Sequence, residues 1–485
     1  MSNNINKTQV ISSLIWKLAE RGGTQGISFI VSIILARLLS PEDYGIIALI
    51  TIFIAIANVF VQSGFNTALI QKKNTDESDF SSVFYLSLFI ALILYILLYF
   101  TAPRIADFYD NEQLVSILRV LSITLIFGAF NSIQNAYLAR KMMFKKLFFC
   151  SLGSIIISGT IGIATAYSGW GVWALVAQNI TSQMSVTIIL WFTVKWRPTL
   201  MFSLKRVKSL FSYGSKLLAS SLINTLYLNL RSLIIGKIYN PVMLGYYNKG
   251  QQFPNLIITN IDGSIQSVML PALSAHQDNQ KRVKEMMRRT IVSSSFLIFP
   301  MMIGMAVVAE PIVKVVLTEK WLPAVPFLQI FCISYMLYPI HTANLQAINA
   351  IGRSDMFLKL EIIKKVFGLA ILSISLQYGV YAIALGEVIS GIIASFINAH
   401  PNRQFLDYSI KEQVIDIMPS LLISLVMGGV VYLFNFLGFS TLKILFLQIF
   451  SGIIIYVGLA RIFKIESFIY LLKSAKDIFN FKSNN

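Results

Sequence analysis

The chain has 485 residues, 56% hydrophobic and only 13% charged, where a water-soluble domain would carry about 25% charged residues. Lipid is therefore the solvent for most of its side chains, which excludes a soluble enzyme or a free-standing binding domain. The net charge of +18 lies in short connections between apolar runs, as membrane topology requires, and not on one soluble face, so nucleic acid is not an expected partner.

The N-terminus is polar through Ser13 and lacks a short apolar core followed by a small-residue cleavage site. Its first apolar run therefore predicts a retained helix and not a signal peptide. Bilayer-length runs follow near 13–39, 45–70, 80–101, 114–137, 147–167, 171–194 and 209–237. The series continues near 244–273, 290–317, 321–350, 358–377, 380–399, 414–437 and 441–463. These fourteen spans put both termini on one side of the membrane. Connections on that side hold Lys72 and Lys73, then Arg140, Lys141, Lys145 and Lys146, then Lys205, Arg206 and Lys208, then Lys281 through Arg289. Opposite connections are sparse or acidic, with Glu42 and Asp43, and with Asp107, Asp110 and Glu112. The positive-inside rule thus predicts a multi-pass membrane protein with both termini cytoplasmic.

No connection is longer than about sixteen residues, so the bundle itself is the working part. No Walker loop or GxGxxG occurs, and neither a nucleotide cofactor nor a metal is expected. Cys150 and Cys332 stand in apolar runs and read as small buried hydrophobes. The tail at 464–485 carries Ile465, Phe468, Ile469, Leu472 and Phe479 among Lys464, Lys473, Lys476 and Lys482. It reads either as an amphipathic helix on the cytoplasmic leaflet or as a solvated tail.

An internal repeat organises the spans. Arg37-x3-Pro41-x3-Gly45 recurs as Lys237-x3-Pro241-x3-Gly245, and Arg140-x3-Phe144 recurs loosely as Arg353-x3-Phe357. Gly171-Val172-Trp173-Ala174-Leu175 recurs as Gly379-Val380-Tyr381-Ala382-Ile383, the three offsets being 200, 213 and 208 residues. Six spans separate the copies, so the halves share one orientation and form a parallel repeat, whose substrate site is expected between them. The expected domains are an N-terminal six-helix lobe (1–200), a C-terminal six-helix lobe (201–402), two additional helices (403–463) and the tail.

Polar stripes run along four of the spans. Lys17, Arg21, Thr24, Gln25 and Ser28 share a face of the first, with Glu20 beside them. The second carries Thr51, Asn58, Gln62 and Asn66, and the seventh Tyr213, Lys216, Ser220, Asn224, Tyr227 and Arg231. In the eighth, Asn248, Gln252, Asn255, Thr259, Asp262 and Gln266 advance by alternating fours and threes, with Lys249 near its outer end. A charge in hydrocarbon costs roughly 2.5–3.5 kcal/mol, so these residues face water or the bundle interior. They line a hydrated cavity or make interhelical hydrogen bonds, and for the cations the cavity is the better account. On these stripes cations outnumber Glu20 and Asp262, a balance that suits an anion such as a phosphate.

Leu35-Ala36-Arg37-Leu38-Leu39-Ser40-Pro41-Glu42-Asp43-Tyr44-Gly45 resembles the first hairpin of the Wzx-type oligosaccharide flippases, the polysaccharide transporter branch of the MOP superfamily. Ser63-Gly64-Phe65, Ala174 through Gln178, Lys195-Trp196-Arg197-Pro198, Leu244 through Asn248, Glu319-Lys320-Trp321 and Gly352-Arg353-Ser354-Asp355 extend the resemblance over nearly the whole chain. It implies an all-α fold of two six-helix bundles around a central cavity, plus two C-terminal helices. It also implies a substrate, undecaprenyl diphosphate carrying an oligosaccharide unit, turned to the periplasmic leaflet for O-antigen, capsule or exopolysaccharide synthesis. Polysaccharide polymerase and chain-length proteins are the protein partners it suggests. Arg21 matches a functional cation position of that superfamily, whereas Arg231 departs from the pattern, where relatives often carry an aromatic residue.

The expected substrate-contacting residues are thus Arg21, Lys216, Arg231, Lys249, Asn224, Tyr227, Asn255 and Gln62. Glu20, Asp262 and Glu387 are candidate carriers of a coupling ion, Glu387 more naturally closing a helix-packing hydrogen bond. A MATE-like cation-coupled exporter of small molecules is the alternative, opposed by the basic stripes. A membrane polymerase or ligase would need a large extramembrane loop, and His341, alone in the tenth span, reads as a packed residue.

Overall fold

The computed structural model describes 7–62, 66, 69 and 75–473, with side chains described at all of these except 7–15, 17–21 and 209–213. Regular structure among the described residues is helical throughout. In chain order the long helices are α1 (Lys7–Leu38), α2 (Pro41–Gln62) and α3 (Glu77–Tyr109), then α4 (Gln113–Leu121), α5 (Thr124–Arg140), α6 (Phe144–Tyr167), α7 (Val172–Thr193), α8 (Leu204–Ile238) and α9 (Pro241–Ser274). They continue as α10 (Gln280–Val307), α11 (Val325–Tyr335), α12 (Tyr338–Ala350), α13 (Ser354–Ser375), α14 (Val380–Leu406), α15 (Ile410–Leu433) and α16 (Thr441–Ile462).

Twelve helical stretches among the described residues are long and apolar enough to cross a bilayer, two of them built from the pairs α4–α5 and α11–α12. Two further helices are compatible with the expected order. In α1 the apolar stretch Gly22–Leu38 is followed directly by the α2 hairpin. Helix α13 is long enough to span but carries Lys359, Glu361, Lys364 and Lys365, and Lys364 pairs with Glu361.

The repeat motifs mark helix starts. Ser40 and Asp43 form a reciprocal cap on α2: the Asp43 N–H donates to the Ser40 hydroxyl at 3.2 Å and the Ser40 N–H to the Asp43 carboxylate at 2.8 Å. Pro41 sits at the first helical position, where its missing N–H costs nothing. At the related start of α9, Asn240 accepts from the Met243 N–H at 2.8 Å and Pro241 takes the same place. One turn on, the two starts meet. A methyl added at Gly45 would overlap the carbonyl of Pro241, and one added at Gly245 would overlap the carbonyl of Pro41. Each glycine is the floor beneath the other helix's first turn, a small-residue contact that lets two backbones approach.

The other two repeat junctions also coincide. Gly171 and Gly379, at positive φ of 54° and 101°, immediately precede α7 and α14. Between α5 and α6 the left-handed residue is Met142, and between α12 and α13 it is Gly352, each two residues past the preceding helix. Backbone geometry therefore pairs Met142 with Gly352, and the loose alignment of Arg140 with Arg353 is displaced by three residues. Arg353 instead makes a two-pronged contact with Asp355 at 2.9 and 2.8 Å, which holds that carboxyl down at about 2.

The chain divides into two compact units, Met1–Gly245 and Tyr246–Asn485. This boundary falls later than the repeat boundary at 200/201, because α8 packs on α2 and α3 inside the first unit. Leu49 of α2 lies against Gly236, the Tyr109 hydroxyl donates to the Leu233 carbonyl at 3.4 Å, and Lys237 pairs with Asp110 at 3.0 Å. A buried cluster in the first unit holds Phe80, Phe84 and Trp196, with Phe130, Tyr137 and Trp191 packed against it. Arg206 closes it at one edge by pairing with Asp76 and with the fully buried Asp79, which together cap α3. In the second unit a buried polar ladder joins α12, α14 and α15. Asn344 donates to Gln413 at 2.9 Å, and Asn402 donates to Asn344 at 2.8 Å. The tail begins as a docked helix over 466–473, with Glu466 on Arg288, the Ser467 hydroxyl on the Val292 carbonyl and Phe468 against Phe296. Lys476, Phe479 and Lys482 lie outside the described residues.

Candidate functional site

The polar stripes divide between the two units. In the first unit, Lys216 and Asn224 of α8 are exposed, while Tyr227 and Arg231 are half-buried. The Arg231 guanidinium lies over the Tyr227 ring one turn away, 5.9 Å from its centre, a cation–π contact that steadies the charge in an apolar span. Gln62, at the end of α2, donates to Asn58 at 3.2 Å. Gly128 of α5 lies under that pair, so the two amides rest where any larger side chain would displace them. Gln62 lines a cavity of about 350 Å³ among α2, α5, α6 and α7. The side chains of Lys17, Glu20, Arg21 and Tyr213 lie outside the described residues.

In the second unit, α9 turns part of its polar face inward. The Tyr247 hydroxyl donates to Glu387 of α14 at 3.1 Å, and Gln251 donates to Tyr335 at 2.7 Å. Both carboxylate oxygens of Asp262 are engaged: Gln266 donates to one at 2.7 Å and Thr342 to the other. Asn255 and Gln266 remain exposed. Lys249 does not join them. It is 3% exposed, with its ammonium 5.6 Å from the centre of the Trp321 ring, because Gly250 lets α9 press against Phe327 and Leu328 and buries its neighbour. The expected placing of Lys249 on an open basic face is therefore corrected to a packed cation. His341 reads as expected, with Ser395 and Asn398 each 3.3 Å from a ring nitrogen. Cys150 and Cys332 are buried free thiols.

The sequence reading passed over two further features. Asn131, Ser132 and Asn135 of α5 and Gln183 of α7 face the same cavity as Gln62, and the signal for them was a run of amides in an otherwise apolar span. A largely apolar groove of about 840 Å³ lies between α15 and the 463–467 segment that follows α16, with Arg288 and Lys464 among its lining, and nothing in the hydropathy of single spans marks it.

The described residues form a multi-span helical bundle with polar faces inside its spans, and solved structures share the fold. A lipid II flippase, MurJ, in an inward closed conformation superposes with a TM-score of 0.75 over 93% of this chain and 98% of that one, at 18% identity. An inward-facing multidrug-resistance MATE transporter of the MOP superfamily gives 0.61 over 79% and 94%, at 16% identity. Residues 34–326 match the model of the polysaccharide biosynthesis protein family, and the chain belongs to it. The teichuronic acid biosynthesis protein TuaB of Bacillus subtilis is 28% identical over 62% of this chain, and the match spans 62% of that protein. The lipopolysaccharide biosynthesis protein WzxC of Escherichia coli K12 is 22% identical over 87% of this chain and 88% of its own length.

Proposed function

We propose that this protein is a flippase that turns undecaprenyl-diphosphate-linked oligosaccharide units from the cytoplasmic to the periplasmic leaflet of the bacterial inner membrane, its two termini on the cytoplasmic side. The observation that carries this reading is the α8 stripe, where Lys216, Asn224 and Arg231 keep a basic, hydrogen-bonding face inside an apolar span. Such a face lowers the cost of bringing a diphosphate through lipid, since each cation replaces water that the phosphate gives up. Membership of the polysaccharide biosynthesis family supports the sugar, and the apolar groove between α15 and the 463–467 segment suits a hydrocarbon chain.

The work is translocation and not covalent chemistry. Arg21 and the α8 cations receive the diphosphate, and the neutral polar groups Gln62, Asn224 and Tyr227 of the same unit receive the head group. Glu20, Asp262 and Glu387 are the acids available to carry a coupling cation. Asp262, held by Thr342 and Gln266, would exchange those two donors for the ion.

Reconstituted proteoliposomes test the reading. Undecaprenyl-diphosphate-linked oligosaccharide should become accessible to an external glycosidase at a rate that depends on the protein, and Lys216→Ala with Arg231→Ala should slow it severalfold. Transport of an organic cation such as ethidium, with no movement of the lipid-linked sugar, would replace flipping by small-molecule export.

A further inference from the structure

The cavity lined by Gln62 differs in chemistry from the basic stripes. Its polar lining residues are Gln62, Asn131, Ser132, Asn135, Ser151 and Gln183, and no charged residue lines it among those described. Asn131 and Ser132 form a buried floor, while Gln62, Asn135 and Gln183 stand exposed at the mouth. Asn131 is 4% exposed and spends its amide N–H on Gln183 at 3.4 Å, yet its side-chain oxygen has no partner. A buried acceptor left empty is costly unless something supplies a donor.

Position along the helices agrees with a single built site. Asn131 stands nine residues before the end of α5, Ser151 seven after the start of α6, and Gln183 ten before the end of α7. At 1.5 Å per residue these are roughly 10–15 Å in from the same ends of three neighbouring helices. Polar groups gathered at one depth around a cavity offer a ligand several hydrogen-bonding partners at once.

We propose that this cavity is the sugar subsite of the protein, taking one neutral pyranose ring of the lipid-linked glycan; this rests on the flippase reading above. A pyranose hydroxyl both donates and accepts, and side-chain amides offer one donor group and one acceptor at matching spacing. The volume of about 350 Å³ lies at the lower end of small-molecule sites and has room for a sugar ring. The described lining offers amides and hydroxyls but no cation, a set that suits a neutral sugar better than a phosphate or a uronic acid. The Asn131 oxygen then accepts a sugar hydroxyl, and a sugar lacking that hydroxyl leaves it empty, which is how a hydrogen-bonding site discriminates.

Binding to the full chain in lipid nanodiscs separates this proposal from the reading it rests on. The probes are bare undecaprenyl diphosphate and the same lipid carrying glucose, galactose, N-acetylglucosamine or N-acetylgalactosamine. At least one glycosylated lipid should bind about tenfold tighter than the bare lipid, as a few net hydrogen bonds would give. The double variant Asn131→Leu, Gln183→Leu should lose that preference and keep its affinity for the bare lipid. If the double variant fails to fold, Asn135→Leu at the exposed mouth should reduce the preference by itself. Equal binding of all five lipids, or a preference that survives in the folded variants, would mean that the pocket holds only water, and overturns the subsite. Failure to bind even the bare lipid would overturn the flippase reading first.

Discussion

Arg21 illustrates how a single residue type in the wrong solvent announces a role. It lies about two turns into the first apolar run, roughly 12 Å deep at 1.5 Å per residue, where a guanidinium must be compensated. If the compensation is a substrate phosphate, Arg21→Ala should abolish flipping while protein level in the membrane stays normal. Arg21→Lys should retain part of the activity, because the charge survives and the two-pronged geometry does not. If Glu20 is the partner instead, Arg21→Ala should lower protein level, and the double variant Glu20→Ala, Arg21→Ala should recover both level and transport. Immunoblots and flipping rates of the three variants decide between them. At this scale the sequence flags a charge placed in hydrocarbon, as at Lys216 and Arg231. It misled at Lys249, because burial against Trp321 depends on Gly250 letting a distant helix approach, which no local pattern encodes.

Helix starts were the most readable elements, and helix breaks the least. Ser40-Pro41 and Asn240-Pro241 combine a capping side chain with a proline that needs no hydrogen bond, so both starts follow from four residues of chain. The breaks at Ser122–Ile123 and Met336–Leu337 lie inside runs whose hydropathy is continuous. At the first, the Ser122 and Thr124 hydroxyls turn back on the Arg119 and Leu121 carbonyls and compete with the helix ladder. At the second, Pro339 removes a donor just beyond the break. The contact of Gly45 with Pro241 and of Gly245 with Pro41 yields a prediction at this scale. Gly45→Ala or Gly245→Ala must push two backbones apart and should cost about 1–3 kcal/mol, as overpacking does. Thermal unfolding in detergent should therefore shift down for both. Gly429→Ala, where an added methyl meets nothing within 4 Å, should leave it in place. Wild-type behaviour of Gly45→Ala would show that the two helix starts do not bear on each other.

Orientation belongs to the whole molecule, since it follows from the sum of basic connections and not from any one. Cysteines placed at 205–208 and 281–289 should react with a membrane-impermeant thiol reagent only from the cytoplasm, and those at 107–112 only from outside. A 281–289 connection labelled from outside would remove both the orientation and the argument that six spans separate parallel copies. The structure refines the repeat itself: pairing Met142 with Gly352 replaces a residue-type match by a shared left-handed turn. A left-handed turn is a steric constraint on one backbone position, whereas a long arginine can reach its partner from several positions on a connection.

What the sequence determined by itself was everything set by solvent and local backbone chemistry: the membrane class, the order of spans, the helix starts and the polar residues that lipid will not tolerate. These follow from hydropathy, capping and charge cost, each readable within a few turns of one helix. Only the tertiary structure decided which polar residues face one another. Asn131, Gln183 and Gln62 come from three helices separated by long stretches of chain, and nothing in any one of them specifies the cavity they share. The same holds for α8, which the repeat assigns to the second half and which packing on α2 places in the first unit. In a bilayer every span is apolar enough to insert, so partner choice rests on small-residue contacts and buried hydrogen bonds, and these exist only once the helices have met.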